Sequence, residues 1–145
     1  MKEIKGNLWD FHDKGEWIVI TTNGTIKNNG DAVMGRGVAN QAAKRYPSLP
    51  TLLGDRLRNQ GNQLFVFDKH KIITLPVKHH WHEIASLLLI KESIRQLATL
   101  DIKLIGIEKV YLPRPGCGNG QLKWEDVKPI VSTLDDRFTV VEFAL

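Results

Sequence analysis

The apolar positions of this 145-residue chain fall into short clusters, and the spacing within each cluster predicts its element. Residues 17–22 read Trp-Ile-Val-Ile-Thr-Thr, apolar or β-branched at every position, which predicts a strand covered on both faces. Residues 63–67 and 71–77 predict two further strands. The short polar join Asp68-Lys69-His70 between them predicts an antiparallel hairpin. Residues 109–112 and 138–143 add two strands, and residues 2–5 an edge strand. Helical spacing alternates with these runs. Leu87, Ile90, Ile94, Leu97 and Ala98 form one stripe of a helix over about residues 83–100. Residues 37–46 and 49–59 predict helices broken by Pro47 and Pro50. Residues 124–134 predict another, which either starts late, with Pro129 in its first turn, or is kinked there. Strands alternating with helices predict an α/β domain with a largely parallel sheet plus one hairpin.

Composition narrows the picture. A hydrophobic share of 42% beside 25% charged residues excludes wholesale disorder. No repeat, low-complexity tract or linker interrupts the chain, so residues 1–145 read as one domain. The longest apolar stretch, residues 84–90, is interrupted by Ser86 and falls far short of the ~18 residues of a membrane span. The opening Met-Lys-Glu-Ile-Lys-Gly has no apolar signal core, and the single cysteine, Cys117, excludes an internal disulfide; both fit a cytoplasmic protein. Twenty basic against 16 acidic residues leave a net charge of +4, a mild tilt toward an anionic partner without saying which.

Ligands of such sheets gather beyond the carboxyl ends of the strands, so three loops carry the candidate chemistry. The first, residues 22–38, is long and polar and ends in Met34-Gly35-Arg36-Gly37-Val38 at a helix start. Small residues there let backbone amides and the helix dipole face an anion such as phosphate, although a flexible glycine connection has the same composition. The third loop, Pro113-Arg114-Pro115-Gly116-Cys117-Gly118-Asn119-Gly120, sets three glycines at alternate positions between a strand and a helix. That is the composition of an anion-binding nest, and two such loops suit a diphosphate. Cys117 reads as a small filler rather than a nucleophile, since no neighbour in sequence lowers its pKa. Between them lies Lys78-His79-His80-Trp81-His82. Adjacent histidines rarely point at one ion and no cysteine or acidic cluster accompanies them, so no metal is expected. Lys78 reads either as a solvated or phosphate-pairing cation or as an amine that attacks a carbonyl-like carbon. Trp81 reads as a cover for a nucleobase or sugar, or as packing.

In chain order these segments resemble the macrodomain family, the ADP-ribose-binding α/β module, over nearly the whole chain. Residues 33–39 with 41–47, residues 75–82, and the long stretch Gly116 to Val127 are similar to the first phosphate loop, the catalytic-lysine segment and the second phosphate loop of one branch. That branch holds the terminal ADP-ribose protein glycohydrolase and, closer still, the DNA ADP-ribosyl glycohydrolase antitoxins (DarG type). The resemblance implies a three-layer α/β/α domain with a mixed, mostly parallel six-stranded sheet and ADP-ribose across the strand ends. It assigns Asn23 to the distal ribose, Met34 to Val38 and Gly116 to Gly120 to the diphosphate, and Lys78 to attack on the anomeric carbon through an opened-sugar imine. Two positions depart from the pattern. The adenine-reading acid near the start is here Asn7, whose amide can pair with adenine. The acid that the protein-directed enzyme carries in its second loop is here Gly120, so a second proton-transfer group must come from elsewhere, such as a histidine of the 79–82 cluster or a ligand phosphate. The expected function is hydrolysis of ADP-ribose from nucleic acid or protein, with no cofactor and no metal. The alternatives are a non-catalytic ADP-ribose reader and a hydrolase of small derivatives such as ADP-ribose 1″-phosphate. The carrier of the ADP-ribose is open, no membrane partner is expected, and a monomer is the simplest state.

Overall fold

The structure, a computed structural model, describes residues 1–101 and 106–144. Six strands form one sheet: β1 (Lys2–Gly6), β2 (Trp17–Asn23), β3 (Phe65–Phe67), β4 (Ile72–Lys78), β5 (Val110–Leu112) and β6 (Phe138–Phe143). Their order across the sheet is β1-β6-β5-β2-β4-β3. Every neighbouring pair is parallel except β3 and β4, the expected hairpin, whose polar join folds as a single 3₁₀ turn. The sheet is therefore mixed and mostly parallel.

Five α-helices cover it: α1 (Leu8–Asp13), α2 (Gly37–Arg45), α3 (Leu49–Gln60), α4 (Leu87–Thr99) and α5 (Trp124–Val131). Side chains alternate across each strand, so the central strands feed two cores. Val19, Ile73 and Leu75 pack under Ile90, Ile94 and Leu97 of α4 and Val127 and Val131 of α5. Ile18, Ile20 and Ile72 face the other way, against Trp9 of α1, Ala39 and Ala42 of α2, and Leu49, Leu53 and Leu57 of α3. These are the three layers of an α/β/α domain, and burial on both faces explains why β2 and β4 lack polar alternation.

Several boundaries differ from the periodicity. Helix α1 was not expected: at six residues it is too short for a helical period to stand out. Its local signal is a cap, Asn7, whose side chain accepts from the Trp9 amide at 3.0 Å. Helix α4 begins at Leu87 rather than near residue 83, because the Ser86 hydroxyl caps it by accepting from the Leu89 amide. Leu87 and Ala98 are exposed, and Ser93 takes the buried place on the stripe, donating to the Pro76 carbonyl at 2.7 Å. Pro50 sits in the first turn of α3, where its missing amide has no bond to lose. Pro129 lies near the end of α5, which starts at Trp124, so the late start is excluded.

Among the described residues no helix is long and apolar enough to cross a membrane.

Candidate functional site

The three loops following β2, β4 and β5 open onto one cleft of about 850 Å³ at the carboxyl ends of the strands. The chain leaves β2 for β3 and β4 on one side and then crosses back to β5 on the other, and such a reversal leaves a crevice between diverging connections.

The first loop is a built structure and not a slack connection. Ile26 and Ala32 form a bridge, Lys27 and Gly30 close turns, and the Ala32 amide donates to the Pro50 carbonyl at 2.9 Å. The floor beneath is Gly54 of α3, where any Cβ would overlap the Gly30 carbonyl oxygen and come within 2.9 Å of the Ala32 nitrogen. Asn23 ties the loop at its root: its Nδ2 donates to the Val33 carbonyl and its Oδ1 accepts from the Thr25 amide. Its end is the N-terminus of α2, which has no side-chain cap and no acid in its first turn. Such a terminus keeps free amides and a positive dipole end for an anion. Gly35 stands open, while Gly37 has φ +58° and a Cβ there would meet Asn119 Nδ2 at 2.8 Å, so the first and third loops touch at this point. Met34 is buried beneath, and Val38 lines the wall.

The third loop folds tightly on itself. The Cys117 amide donates to the Arg114 carbonyl, that of Gln121 to Gly118, and that of Leu122 to Gly116. Among the described residues the amides of Gly118, Asn119 and Gly120 have no backbone acceptor, which leaves a nest of N–H groups beside the cleft. Gly116 (φ +74°) and Gly120 are packed too closely for side chains. A Cβ on Gly120 would lie 2.5 Å from the Gly116 oxygen and 2.7 Å from Ala85 Cβ. Burial pushes the Cys117 thiol above its ordinary pKa, and its Sγ sits 3.5 Å from the Pro115 carbonyl. A thiol held protonated is a filler and not a nucleophile.

Lys78 closes the third side. A register slip between Thr22 and Asn23 sets Asn23 opposite Lys78, so the ends of β2 and β4 present both side chains together. The Lys78 backbone carbonyl is held by Asn62 Nδ2 at 3.0 Å. Its Nζ reaches two carbonyls, Trp81 at 3.3 Å and Asn119 at 3.4 Å, and among the described residues it forms no ion pair. Desolvation, and next the nearby Arg36 guanidinium, lower its pKa below the ordinary lysine value. This is the environment that turns an ammonium toward a nucleophilic amine.

The histidines of the 79–82 segment lie apart from the cleft lining. His79, His80 and His82 are exposed, and none of them is among the residues lining the cleft. The His80 and His82 rings stack on each other, 6.0 Å between centroids. Among the described residues no three His, Cys, Asp or Glu side chains are grouped to hold a metal ion.

At the other end of the cleft, the residues that spacing did not single out are Arg114, Trp124, Glu142 and Phe143, facing Asn7 and Gly6. Gly6 and Phe143 are register partners of β1 and β6, which is a non-local pairing without local signal. Glu142, the only acid lining the cleft among the described residues, pairs with Arg114 at 3.3 Å. Arg114 lies over the Trp124 ring, and its Nε is buried without a partner. The Oδ1 of Asn7 is occupied by its capping bond to Trp9.

Comparison with known proteins places this geometry. No family model matches the sequence. A DNA ADP-ribosyl glycohydrolase of Mycobacterium tuberculosis is 36% identical over 107 residues, covering 66% of this chain and 30% of the relative. Its counterpart from Thermus aquaticus is 29% identical over 137 residues, covering 88% and 36%. The chain thus spans about a third of the length of these relatives. Among solved structures, the macrodomain of Mycobacterium tuberculosis DarG superposes with a TM-score of 0.77 at 29% identity, covering 97% of this chain and 95% of that one. A Thermosipho africanus DarTG structure in complex with ADP-ribose has a TM-score of 0.78 at 20% identity, covering 99% and 41%.

Proposed function

We propose that this chain, which is a macrodomain, binds ADP-ribose across its strand ends and hydrolyses the bond between the distal ribose and a macromolecular carrier. The observation that carries the reading is Lys78: an amine with a lowered pKa and, among the described residues, no carboxylate partner, set between two loops of free amides. The likeness to DNA ADP-ribosyl glycohydrolases supports the reaction class, and the ADP-ribose held by the Thermosipho africanus neighbour supports the ligand.

In this reading the diphosphate rests on the α2 N-terminus and the amides of residues 118–120, where backbone N–H groups satisfy its charge. The adenosine end lies toward Asn7 and Phe143, and the distal ribose toward Asn23 and Lys78. The neutral Lys78 amine attacks the anomeric carbon of the distal ribose. The bond to the carrier breaks, and the carrier leaves with a proton. Ring opening gives an imine. Water adds to the imine carbon, the C–N bond breaks, and ADP-ribose and the free amine are regenerated. Among the described residues no histidine and no acid lines the cleft at the Lys78 end, and in this reading a ligand phosphate relays the protons. Glu142 is separated from this end by β5 and β2.

The direct test is release of ADP-ribose from conjugated DNA and from conjugated protein by wild type and Lys78→Ala. A drop on the order of 10²-fold or more supports the amine's role. Equal release by both proteins refutes it. The lack of a side chain at Gly120 favours one second reading, a non-catalytic ADP-ribose reader, for which the same assay gives binding and no release from any conjugate by wild type.

A further inference from the structure

We infer that Asn62, which stands outside the cleft, is a positioning residue for the reaction: its side-chain amide fixes the end of β4 and so the course of the Lys78 amine. The inference rests on the function proposed above and adds to it a residue that acts through Lys78 without touching the ligand.

Strand β4 outruns its hairpin partner. Strand β3 pairs only with Ile72, Ile73 and Thr74, whereas β4 continues to Lys78. Beyond Thr74 that side of β4 has no strand neighbour among the described residues, and the backbone polar groups of such an extension need other partners. Three are supplied locally. The Pro76 carbonyl accepts from Ser93 Oγ at 2.7 Å, the Val77 carbonyl from the Ser86 amide at 2.9 Å, and the Lys78 carbonyl from Asn62 Nδ2 at 3.0 Å. The last of these holds the residue that bears the amine.

Asn62 is built as a strut. Helix α3 ends at Gly61, whose positive φ of +83° turns the chain toward β4. The link that follows is tied to α4: the Leu64 amide donates to Gln96 Oε1 at 2.9 Å, and Gln96 Nε2 donates to Gln63 Oε1 at 2.6 Å. On its other side the Asn62 amide packs on Gly24, where any Cβ would lie 2.9 Å from its Cγ and Nδ2 and 2.8 Å from the His79 oxygen. The Gly24 amide donates to that same His79 oxygen at 3.2 Å. Two successive carbonyls, those of Lys78 and His79, are thus held from the α3–β3 link and from the end of β2.

This hold carries a penalty. The Asn62 Oδ1 is buried and has no partner among the described residues, and an unpaired buried acceptor destabilises a fold. An apolar side chain of the same branching would avoid that penalty but could not hold the lysine carbonyl. The amine explains the need. It rides on a flexible four-carbon stem, so a small tilt of the backbone is magnified at Nζ. A misplacement of about 1 Å, even from a change far from the chemistry, can cost on the order of 10²-fold in rate.

The test compares wild type with Asn62→Leu, which keeps the branched shape, and Asn62→Gln, which keeps a donor on a longer arm. Release of ADP-ribose from conjugated DNA, at saturating and limiting substrate, separates kcat from KM. Asn62→Leu should lower kcat about ten- to hundredfold and leave KM and ADP-ribose affinity unchanged, since Asn62 does not line the cleft. Asn62→Gln should recover part of the loss. In a Lys78→Ala background Asn62→Leu should cause no further loss, because its effect passes through the amine. NMR titration of the labelled Lys78 ε-carbon gives a readout independent of turnover. In Asn62→Leu the released amine reaches more water and leaves Arg36, so its pKa should rise toward the ordinary lysine value. Wild-type kcat in Asn62→Leu overturns the inference, as does a further loss in the Lys78→Ala background. A parallel fall of kcat and ADP-ribose affinity also overturns it, since that marks a general loosening. If wild type releases nothing from any conjugate, the proposed hydrolysis falls and the titration alone decides. A raised Lys78 pKa in Asn62→Leu then supports the strut, and an unmoved one overturns it.

Discussion

At the scale of single residues, the cleft is defined as much by absent side chains as by present ones. Gly120 shows this. Its Cβ position is filled by the Gly116 oxygen and by Ala85, so Gly120→Ala forces the loop apart and should cost about 1–3 kcal/mol of stability, as overpacking does. Chemical denaturation measures that loss, and titration with ADP-ribose should show weakened binding from the displaced amides. Lys78 gives the complementary case. Its pKa is lowered by desolvation first and by Arg36 second, so the reactive neutral amine grows as pH rises through a value below the ordinary 10.5. The rate should therefore climb with pH, with an inflection below the ordinary lysine value. Arg36→Gln removes one of the two causes and should move the inflection upward. A pH–rate profile of the variant that superposes on wild type would exclude that electrostatic contribution.

Elements set where these residues stand. The first loop rests on α3 only because Gly54 has no side chain there. Gly54→Ala, normally helpful inside a helix, should here destabilise by about 1–3 kcal/mol and weaken ADP-ribose binding, measured by thermal shift with and without ligand. In α1, His12 is buried, with Nε2 2.5 Å from the Tyr46 hydroxyl, and desolvation chiefly lowers its pKa below 6.5. The unfolded chain thus takes up the proton first, and stability falls as pH drops below about 6.5 toward the folded value. Replacing His12 by asparagine should flatten that slope in denaturation curves collected between pH 7 and 5.

Much of this level was legible in the sequence. Strands β2 and β4 declared themselves by β-branched runs, and the hairpin by its short polar join. The glycine loops stood out by composition, and Lys78 by its place at a strand end. What stayed hidden was non-local or too short. Helix α1 has less than two turns, the role of Gly54 depends on a loop more than twenty residues away, and Glu142 and Phe143 enter the cleft through pairing between the first and last strands.

For the whole molecule, two features of the charge distribution have separate consequences. Exposed carboxylates are held down locally: Arg95 and Gln96 lower Glu92 to about 2, and Arg137 lowers Asp135 to about 2. Their stabilising contribution is present above the unfolded values and is lost as pH falls through the folded ones, so acid unfolding should extend below pH 4. The cleft, by contrast, holds among the described residues one acid, Glu142, paired with Arg114 at one end, and the cations Lys78 and Arg36 at the other. Saturation with ADP-ribose at about a hundred times its Kd should add roughly 2.7 kcal/mol to the stability of the domain, seen as a rise in melting temperature.

The crowding at Gly120 also bears on how this kind of site changes over evolutionary time. Glycine and aspartate are neighbours in the genetic code. Yet on this backbone the one-step change leads to a collision, with the Gly116 oxygen already where the new side chain must begin. A lineage could acquire the acid only after its loop, and the Ala85 segment beneath it, had moved.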